Sequence, residues 1–318
     1  MVMQRAEAKL DANRPDVSTR TLPHICVCIC TYKRPQMLRR LLDELARQQM
    51  DGKFTVSAVV ADNDATESAK QTIEDFTRQS PLPVEYHVEP ERGIARARNR
   101  VVKSARGDYL AFIDDDEFPV ADWLLKLHRQ CIAYAADGML GPVKRHFEET
   151  PPSWLSKSNL LERRINPTGT PVDWHEARTG NVLIRSELVQ GIEEPFRAEL
   201  RSGEDQDFFR RKMEEGRRFF WSADAIAFEV VSRERWRRTY LLRRALLRGA
   251  SALQKPDCGP RSIVKSLVAV PVYLLALPFA QLAGHHRFMT LLVKLCDHLG
   301  KLLALVGIHP IREQYVSE

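Results

Sequence analysis

Cysteine is scarce in this sequence, with 6 among 318 residues, and its spacing does not suit an extracellular disulfide framework. Cys26, Cys28 and Cys30 alternate along one apolar run, so on a strand all three face the same side, which fits reduced, buried thiols. The opening segment MVMQRAEAKLDANRPDVSTR lacks the apolar stretch of a secretory signal. The expectation is a flexible tail over residues 1–22 and a catalytic portion that stays in the cytosol. Internal repeats and low-complexity tracts are absent, and with 15 Gly, 18 Pro and 44% hydrophobic residues the chain is neither collagen-like nor wholly disordered. Its length allows one large domain, or one domain with an appendage, around a sizeable core.

Excess positive charge is missing from most of the chain. The formal net charge is +6 and the pI about 9.0, yet residues 231–318 alone hold 14 Lys and Arg against 5 Asp and Glu, a net +9. Residues 1–230 therefore carry −3. A chain-wide nucleic-acid footprint is not supported, because the basic character belongs to the last quarter.

What is present is an alternation of apolar runs, polar loops and amphipathic stretches. ICVCIC is followed by TYKRP and a helical pattern through Met37, Leu38, Leu41, Leu42 and Leu45. FTVSAVV (54–60) leads into ADND and a second amphipathic stretch from Ser68 to Phe76, and VEYHV (84–88) leads into the helical spacing of GIARARN. YLAFI (109–113) then runs straight into Asp114, Asp115, Asp116 and Glu117. This order predicts a mostly parallel sheet flanked by helices, an α/β fold in which ligands meet the carboxyl ends of the strands. GMLGPV, NVLIR and FFWSADAIAFEVV supply further strand candidates up to residue 231.

Chemistry concentrates in the polar segments after those strands. Carboxylates clustered at the end of a buried strand repel one another, so Asp114 and Asp116 invite a balancing divalent cation such as Mn2+ or Mg2+, with coordination positions left for diphosphate oxygens. A solvated acidic turn is the competing reading. Asp62 ends an earlier strand, where its carboxylate can accept a bond from a base or ribose, or else cap the following turn. Thr31, Tyr32 and Arg34 occupy the first such loop, and Arg96 and Arg98 bring guanidinium groups suited to phosphate or to an exposed helix face. A second acidic group, Glu204, Asp205 and Asp207, suits a general base acting on an acceptor hydroxyl, or simply an acidic helix start. Trp174 and Asn181 are candidates for an acceptor pocket, with packing roles as the alternative.

Taken in order, CICTYKRP, VVADND, GIARARN, GDYLAFIDDDEFP, TGNVLIR and GEDQDFFRR resemble the motifs of family 2 glycosyltransferases, over about residues 24–240. Within that family the chain is most similar to the succinoglycan-type exopolysaccharide transferases. The resemblance implies a GT-A fold over 23–231, a nucleotide-sugar donor such as a UDP-hexose, a divalent metal and inversion at the anomeric carbon. It sets Thr31, Tyr32, Arg34, Asp62, Arg98, Asp114 and Asp115 around the nucleotide sugar, with Asp114 towards the ribose and, with Asp116, on the metal. It makes Asp205 the catalytic base, with Glu204, Trp174 and Asn181 on the acceptor side. Two departures stand out: Ala61-Asp62-Asn63-Asp64 replaces the usual Asp-Asp-Gly-Ser, and Ser232 precedes Arg235-Trp236 where processive synthases carry Gln or Arg. One sugar added per encounter is therefore expected. A metal-dependent nucleotidyl or phosphoryl transferase is the alternative enzyme, and a non-catalytic membrane-bound assembly factor the alternative outside catalysis.

The last region, 232–318, changes character. Seven arginines fall between Arg233 and Arg248, followed by an uncharged run from Ser266 to Gly284, near the roughly 20 residues that span a bilayer. Pro271 and Pro278 interrupt that run, and a second apolar stretch carries Lys294, Asp297, His298 and Lys301 on one stripe. A transmembrane hairpin, interfacial helices and a soluble helical hairpin compete. The charged stripe and adjacent arginines favour monotopic or re-entrant attachment to the cytoplasmic face of an inner membrane, the arginines facing anionic headgroups. Such a location suits a lipid-linked glycan acceptor.

Overall fold

Apolar runs that alternate with amphipathic stretches must bury one face each, and they do so in three layers. The computed structural model describes residues 21–200, 203–254 and 258–311, so the expected N-terminal tail, apart from residues 21 and 22, lies outside the described residues. The first half runs β1 (His24–Thr31), α1 (Pro35–Ala46), β2 (Thr55–Asp62), α2 (Lys70–Gln79), β3 (Val84–Val88), α3 (Ile94–Ser104), β4 (Tyr109–Ile113), β5 (Glu117–Pro119) and α4 (Trp123–Ala133). There follow β6 (Gly138–Leu140), β7 (Val143–His146), the short α5 (Ser153–Ser156), β8 (Asn181–Arg185), α6 (Glu204–Glu214), β9 (Phe219–Trp221) and β10 (Ala227–Val230). Helices α7 (Arg238–Ser251), α8 (Pro260–Leu282) and α9 (His285–Leu305) complete the chain.

Seven strands form one sheet in the order β3-β2-β1-β4-β8-β6-β9, with β3, β2, β1 and β4 parallel and β8 antiparallel to both β4 and β6. The period-two pattern of β1 divides its side chains as the sequence implies. Ile25, Val27 and Ile29 enter a core with α1, α2 and α4, while Cys26 and Cys28 join the opposite core with Val101, Phe208 and Phe209. All six cysteines are free thiols, and burial pushes the Cys30 thiol up to about 12. Helix α1 starts with Pro35 in its first turn and buries Leu38, Leu41, Leu42 and Leu45, one stripe at helical spacing. A separate three-stranded sheet, β5-β10-β7, lies outside what the sequence pattern indicated.

Two register relations position the site. Thr31 pairs with Asp62 at the ends of β1 and β2, and Ile113 pairs with Asn181, so the loop after β4 and the start of β8 meet at the same carboxyl edge. Asn181 locks that corner from within: its Oδ1 accepts from Trp123 Nε1 at 2.8 Å, and its Nδ2 donates to the carbonyls of Pro142 and Ala225 at 3.0 and 2.8 Å. Gly180 beside it packs closely against the acids, since a Cβ there would lie 2.9 Å from Glu117 Oε1 and 3.1 Å from Asp114 Oδ2.

The C-terminal helices join the body through Leu155, Leu161, Val231, Leu241, Ala245 and Val293. Helices α7 and α9 touch backbone to backbone at Gly249 and Gly300, where a Cβ would lie 2.0 Å from the Asp297 carbonyl and 2.2 Å from the Leu246 carbonyl. Three of the four polar residues on the α9 stripe are engaged between helices: Arg248 of α7 grips Asp297 through two bonds of 2.7 and 2.6 Å, His298 meets Ser266 at 2.9 Å, and Lys301 donates to Ser262 at 2.7 Å, while Lys294 is exposed. Helix α8 carries Pro271 and Pro278 without interruption and is long and apolar enough to cross a membrane. Its outer face, with Leu267, Val268, Leu275, Phe279 and Leu282, is exposed.

Candidate active site

The carboxyl edge of the parallel strands gathers most of the residues singled out above. Thr31, at the end of β1, donates through Oγ1 to Asp115 at 2.7 Å, and Arg34 bonds Asp115 at 3.2 Å and Asp116 at 3.1 Å. The first loop and the acidic loop are thus one unit. Between Thr31 and Arg34 the backbone turns through Lys33 at φ 54°, a left-handed conformation unusual for lysine, and the half-buried Tyr32 ring is exposed to Arg92, whose guanidinium lies 4.6 Å from its centroid. Nothing in the sequence pattern pointed to Arg92.

The three consecutive aspartates have different surroundings. Asp115 turns inward to Thr31 and Arg34 and is buried, whereas Asp114 keeps about half of its side chain exposed and Asp116 lies between Arg34 and Arg235, the latter at 3.8 Å. Burial, reinforced by Asp116, pushes the Asp115 carboxyl up to about 7. Burial and the charges of Asp114 and Asp116 likewise raise Glu117 well above the ordinary carboxylate range. Among the described residues no three His, Cys, Asp or Glu side chains converge into a ready-made cage for an ion. Asp114 and Asp116 instead provide two carboxylates, hard oxygen donors of the kind a divalent ion takes.

Asp62 is fully buried. It accepts from the backbone N–H of Asp64 at 3.2 Å and of Ala69 at 2.7 Å, and from the Tyr86 hydroxyl at 3.0 Å, so the turn role that the sequence allowed is present. Its neighbour Asn63 ties the carbonyls of Glu89 and Glu91 and the N–H of Gly93 into the same wall.

Arg98 connects the acidic loop to helix α6. It is buried, ion-paired to Glu204, and 3.9 Å from Asp114. Against its burial, Glu204, Asp205 and Asp114 hold the guanidinium firmly charged. Helix α6 opens after Gly203, which has φ 82°, and displays three acids in its first turn with three different environments. Glu204 faces Arg98. Asp207 is captured by Arg197, Arg210 and Arg211 at 3.5, 3.0 and 2.8 Å. Asp205, half-buried, accepts the N–H of Gln206 at 2.7 Å and lies in the field of Arg98 and Arg178. Gln206 in turn donates to the His175 carbonyl at 2.5 Å, which fastens the loop bearing Trp174, stacked on His175 at 3.6 Å, next to Asp205. Asn181 does not share this wall through its side chain, whose hydrogen-bonding groups are all engaged inside the protein.

Besides Arg92, two groups at the site carry no signal in the sequence pattern, Arg235 and Glu229. Arg235 reaches both Asp116 and Glu229, the latter at 2.6 Å, although Arg235-Trp236 had been set aside as a broken motif. Glu229 also pairs with Arg145 and, at 3.4 Å, with Arg163. The arginine-rich run therefore does not face outward throughout: Arg233, Arg237, Arg238 and Arg243 are exposed, while Arg235 is buried against the site. This corrects the expectation of a uniform surface band.

Comparison with known proteins follows the same outline. Residues 26–190 match the family described as Glycosyl transferase family 2. The chain is 30% identical to the succinoglycan biosynthesis protein ExoM of Rhizobium meliloti, over 92% of this chain and 96% of that protein. It is 25% identical to the poly(ribitol-phosphate) beta-N-acetylglucosaminyltransferase TarS of Staphylococcus aureus, over 65% of this chain and 35% of TarS. Among solved structures, the mannosyltransferase PcManGT from Pyrobaculum calidifontis, in complex with GDP-Man and Mn2+, superposes with a TM-score of 0.60 at 18% identity, covering 94% of this chain and 93% of that one. S. aureus TarS 1-349 in complex with UDP gives 0.52 at 17% identity, covering 91% and 93%.

Proposed function

On the premise that the chain belongs to glycosyl transferase family 2 and shares the GT-A architecture of its structural neighbours, we propose that it transfers one sugar per encounter from a UDP-hexose to a hydroxyl of a lipid-linked glycan. The product is a building block of an exopolysaccharide or a related cell-surface polymer, as the likeness to ExoM suggests. The observation that carries this reading is the bridge made by Arg98, which joins the acidic strand end at Asp114 to the first turn of α6 at Glu204, one residue from Asp205.

In this reading Asp205 removes the proton from the acceptor hydroxyl while that oxygen attacks the anomeric carbon. The bond from that carbon to the phosphate oxygen breaks on the opposite face, which inverts the configuration and releases the nucleoside diphosphate. Asp114 and Asp116 would hold a divalent ion, which when bound supplies Lewis-acid stabilisation of the departing diphosphate. Arg34 beside Asp116 and Arg98 beside Asp114 add fixed positive charge at the same place. Thr31 and Asp115 hold the donor loop in register, Asp62 shapes the wall that faces the base, and Trp174 borders the acceptor. The Asp207 carboxylate, held by three arginines, is a helix brace, which leaves Asp205 as the base. The apolar outer face of α8 attaches the enzyme to the cytoplasmic face of the inner membrane, where a lipid-linked acceptor presents its sugar.

The test is a donor screen with UDP-glucose, UDP-galactose and other nucleotide sugars, with and without Mn2+, in which the released nucleotide is identified. Metal-dependent release of UDP is expected. Release of pyrophosphate would overturn glycosyl transfer in favour of nucleotidyl transfer.

A further inference from the structure

Beyond the catalytic edge, a cavity of about 400 Å3 opens between the β6–β7 corner, the 160–178 segment and helices α7 and α9. Six guanidinium groups line it: Arg145, Arg163, Arg164, Arg178, Arg244 and Arg248. Two acids, Glu162 and Glu176, share the wall, and two more stand behind it, Glu229 against Arg145 and Arg163 and Asp297 against Arg248. Positive charge remains in excess. Burial together with Arg163, Arg235 and Arg244 lowers Arg145 to about 9, and burial is also the largest influence lowering Arg178 and Arg244. Cations crowded in this way are relieved by an anion, and phosphate is the group whose geometry the planar guanidinium matches. The remaining lining combines the polar His175 and Asn181 with apolar side chains, among them Leu160 and, from the C-terminal helices, Leu241 and Val293. The volume suits a diphosphate and its first sugar.

Position narrows the ligand further. The His175 rim of the cavity belongs to the loop that Gln206 fastens beside Asp205, and Arg178 lies in the field of Asp205 itself. The donor diphosphate, by contrast, is proposed at Arg34 and the first loop, and Arg235 stands between Asp116 and the Glu229 that pairs with Arg145 and Arg163 of the cavity. A ligand in this cavity would have its anionic group among the arginines, its tail towards α7 and α9, the latter bonded to α8 through His298–Ser266 and Lys301–Ser262, and its sugar end towards the base.

We propose that this arginine-lined cavity binds the diphosphate that joins the glycan acceptor to its lipid. The assignment rests on the lipid-linked acceptor proposed above. It makes the cavity a second phosphate site that reads the linkage of the acceptor and sets how far the sugar extends to Asp205.

The test uses full-length enzyme in detergent or nanodiscs and two acceptors with the same glycan, one on a polyprenyl diphosphate and one on an uncharged alkyl glycoside. Arg164→Gln combined with Arg244→Gln removes two lining charges that are not part of the acid centre, and the exposed Arg164→Gln alone guards against misfolding. The double variant is expected to raise KM for the diphosphate acceptor by roughly 10-fold or more, as loss of charge-assisted bonds implies, and to leave the alkyl glycoside and donor hydrolysis within about twofold. An unchanged KM for the diphosphate acceptor, or an equal rise for both acceptors, would overturn the site. Flotation with phosphatidylglycerol vesicles separates the sources of phosphate: loss of vesicle binding with an unchanged acceptor KM would assign the cavity to membrane headgroups and also overturn the proposal. If wild-type enzyme uses the alkyl glycoside and rejects the polyprenyl diphosphate, the lipid-linked acceptor itself is refuted. Titration of the two proteins with inorganic pyrophosphate, with UDP present, then reads the cavity directly; tighter binding by wild type shows an anion site, and equal binding shows none.

Discussion

The edge of the sheet and the C-terminal helices both assemble charge, but they solve opposite problems. At the edge, Asp114, Asp115, Asp116, Glu117, Glu204 and Asp205 outnumber the arginines interleaved with them, and burial raises Asp115 and Glu117, so acidic groups are in excess there. In the C-terminal region arginine is in excess, and its members are divided between an outer set and an inner set that faces the cavity and the acids. Charge of one sign at the edge favours a cation. Charge of the other sign beside apolar helices invites an anion that arrives on a lipid.

This contrast can be broken at either end. The largest effect is expected from Asp116→Ala, which removes a carboxylate of the proposed metal pair: transfer should fall by about 10^3-fold or more, and chelation of divalent metal should reproduce the loss in wild type. Undiminished turnover in chelator would remove the metal from the acid centre. Next, Leu267→Glu with Leu275→Glu places charge on the exposed face of α8, where the two leucines are 57% and 75% exposed. The membrane partition constant read by flotation should fall by roughly 10^2–10^4-fold, given about 1.5–3 kcal/mol for each of the two leucines, while donor hydrolysis stays within about twofold. Unchanged flotation would deny α8 its role as anchor.

Two smaller effects probe the frame that holds the regions together. Asn181→Ala strands Trp123 Nε1 and two buried carbonyls and should cost about 2–4 kcal/mol in urea unfolding. A selective rise in acceptor KM at full stability would restore Asn181 to the acceptor wall. Gly300→Ala pushes a methyl into the Leu246 carbonyl of α7 and should cost about 1–3 kcal/mol, seen as a lower Tm with the catalytic parameters of the folded fraction retained.

The strands were the most legible part of the sequence. β3 and β4 occupy the apolar runs VEYHV and YLAFI, and the alternating cysteines of β1 lie on one face, because each pattern is local and set by the pleat. The antiparallel course of β8 and the small β5-β10-β7 sheet were not legible, since pairings between strands of three to five residues depend on distant partners. The acidic run announced the site, but neighbouring residues of identical type diverge only in three dimensions: Asp115 turns to Thr31, and Asp207 is held by three arginines while Asp205 is not. Arg235 was hidden among arginines that read as surface, and the structure places it against Asp116 and Glu229. The same concealment applied to the cavity, whose arginines come from segments far apart in the chain.

The most direct test of the account is Asp205→Asn, measured for both UDP-sugar binding and transfer to acceptor. Donor affinity should stay within about twofold while transfer falls by roughly 10^2–10^4-fold, the usual contribution of a general base. Near-normal transfer by this variant would contradict the assignment of Asp205 and, with it, the mechanism built on the bridge between the acidic edge and α6.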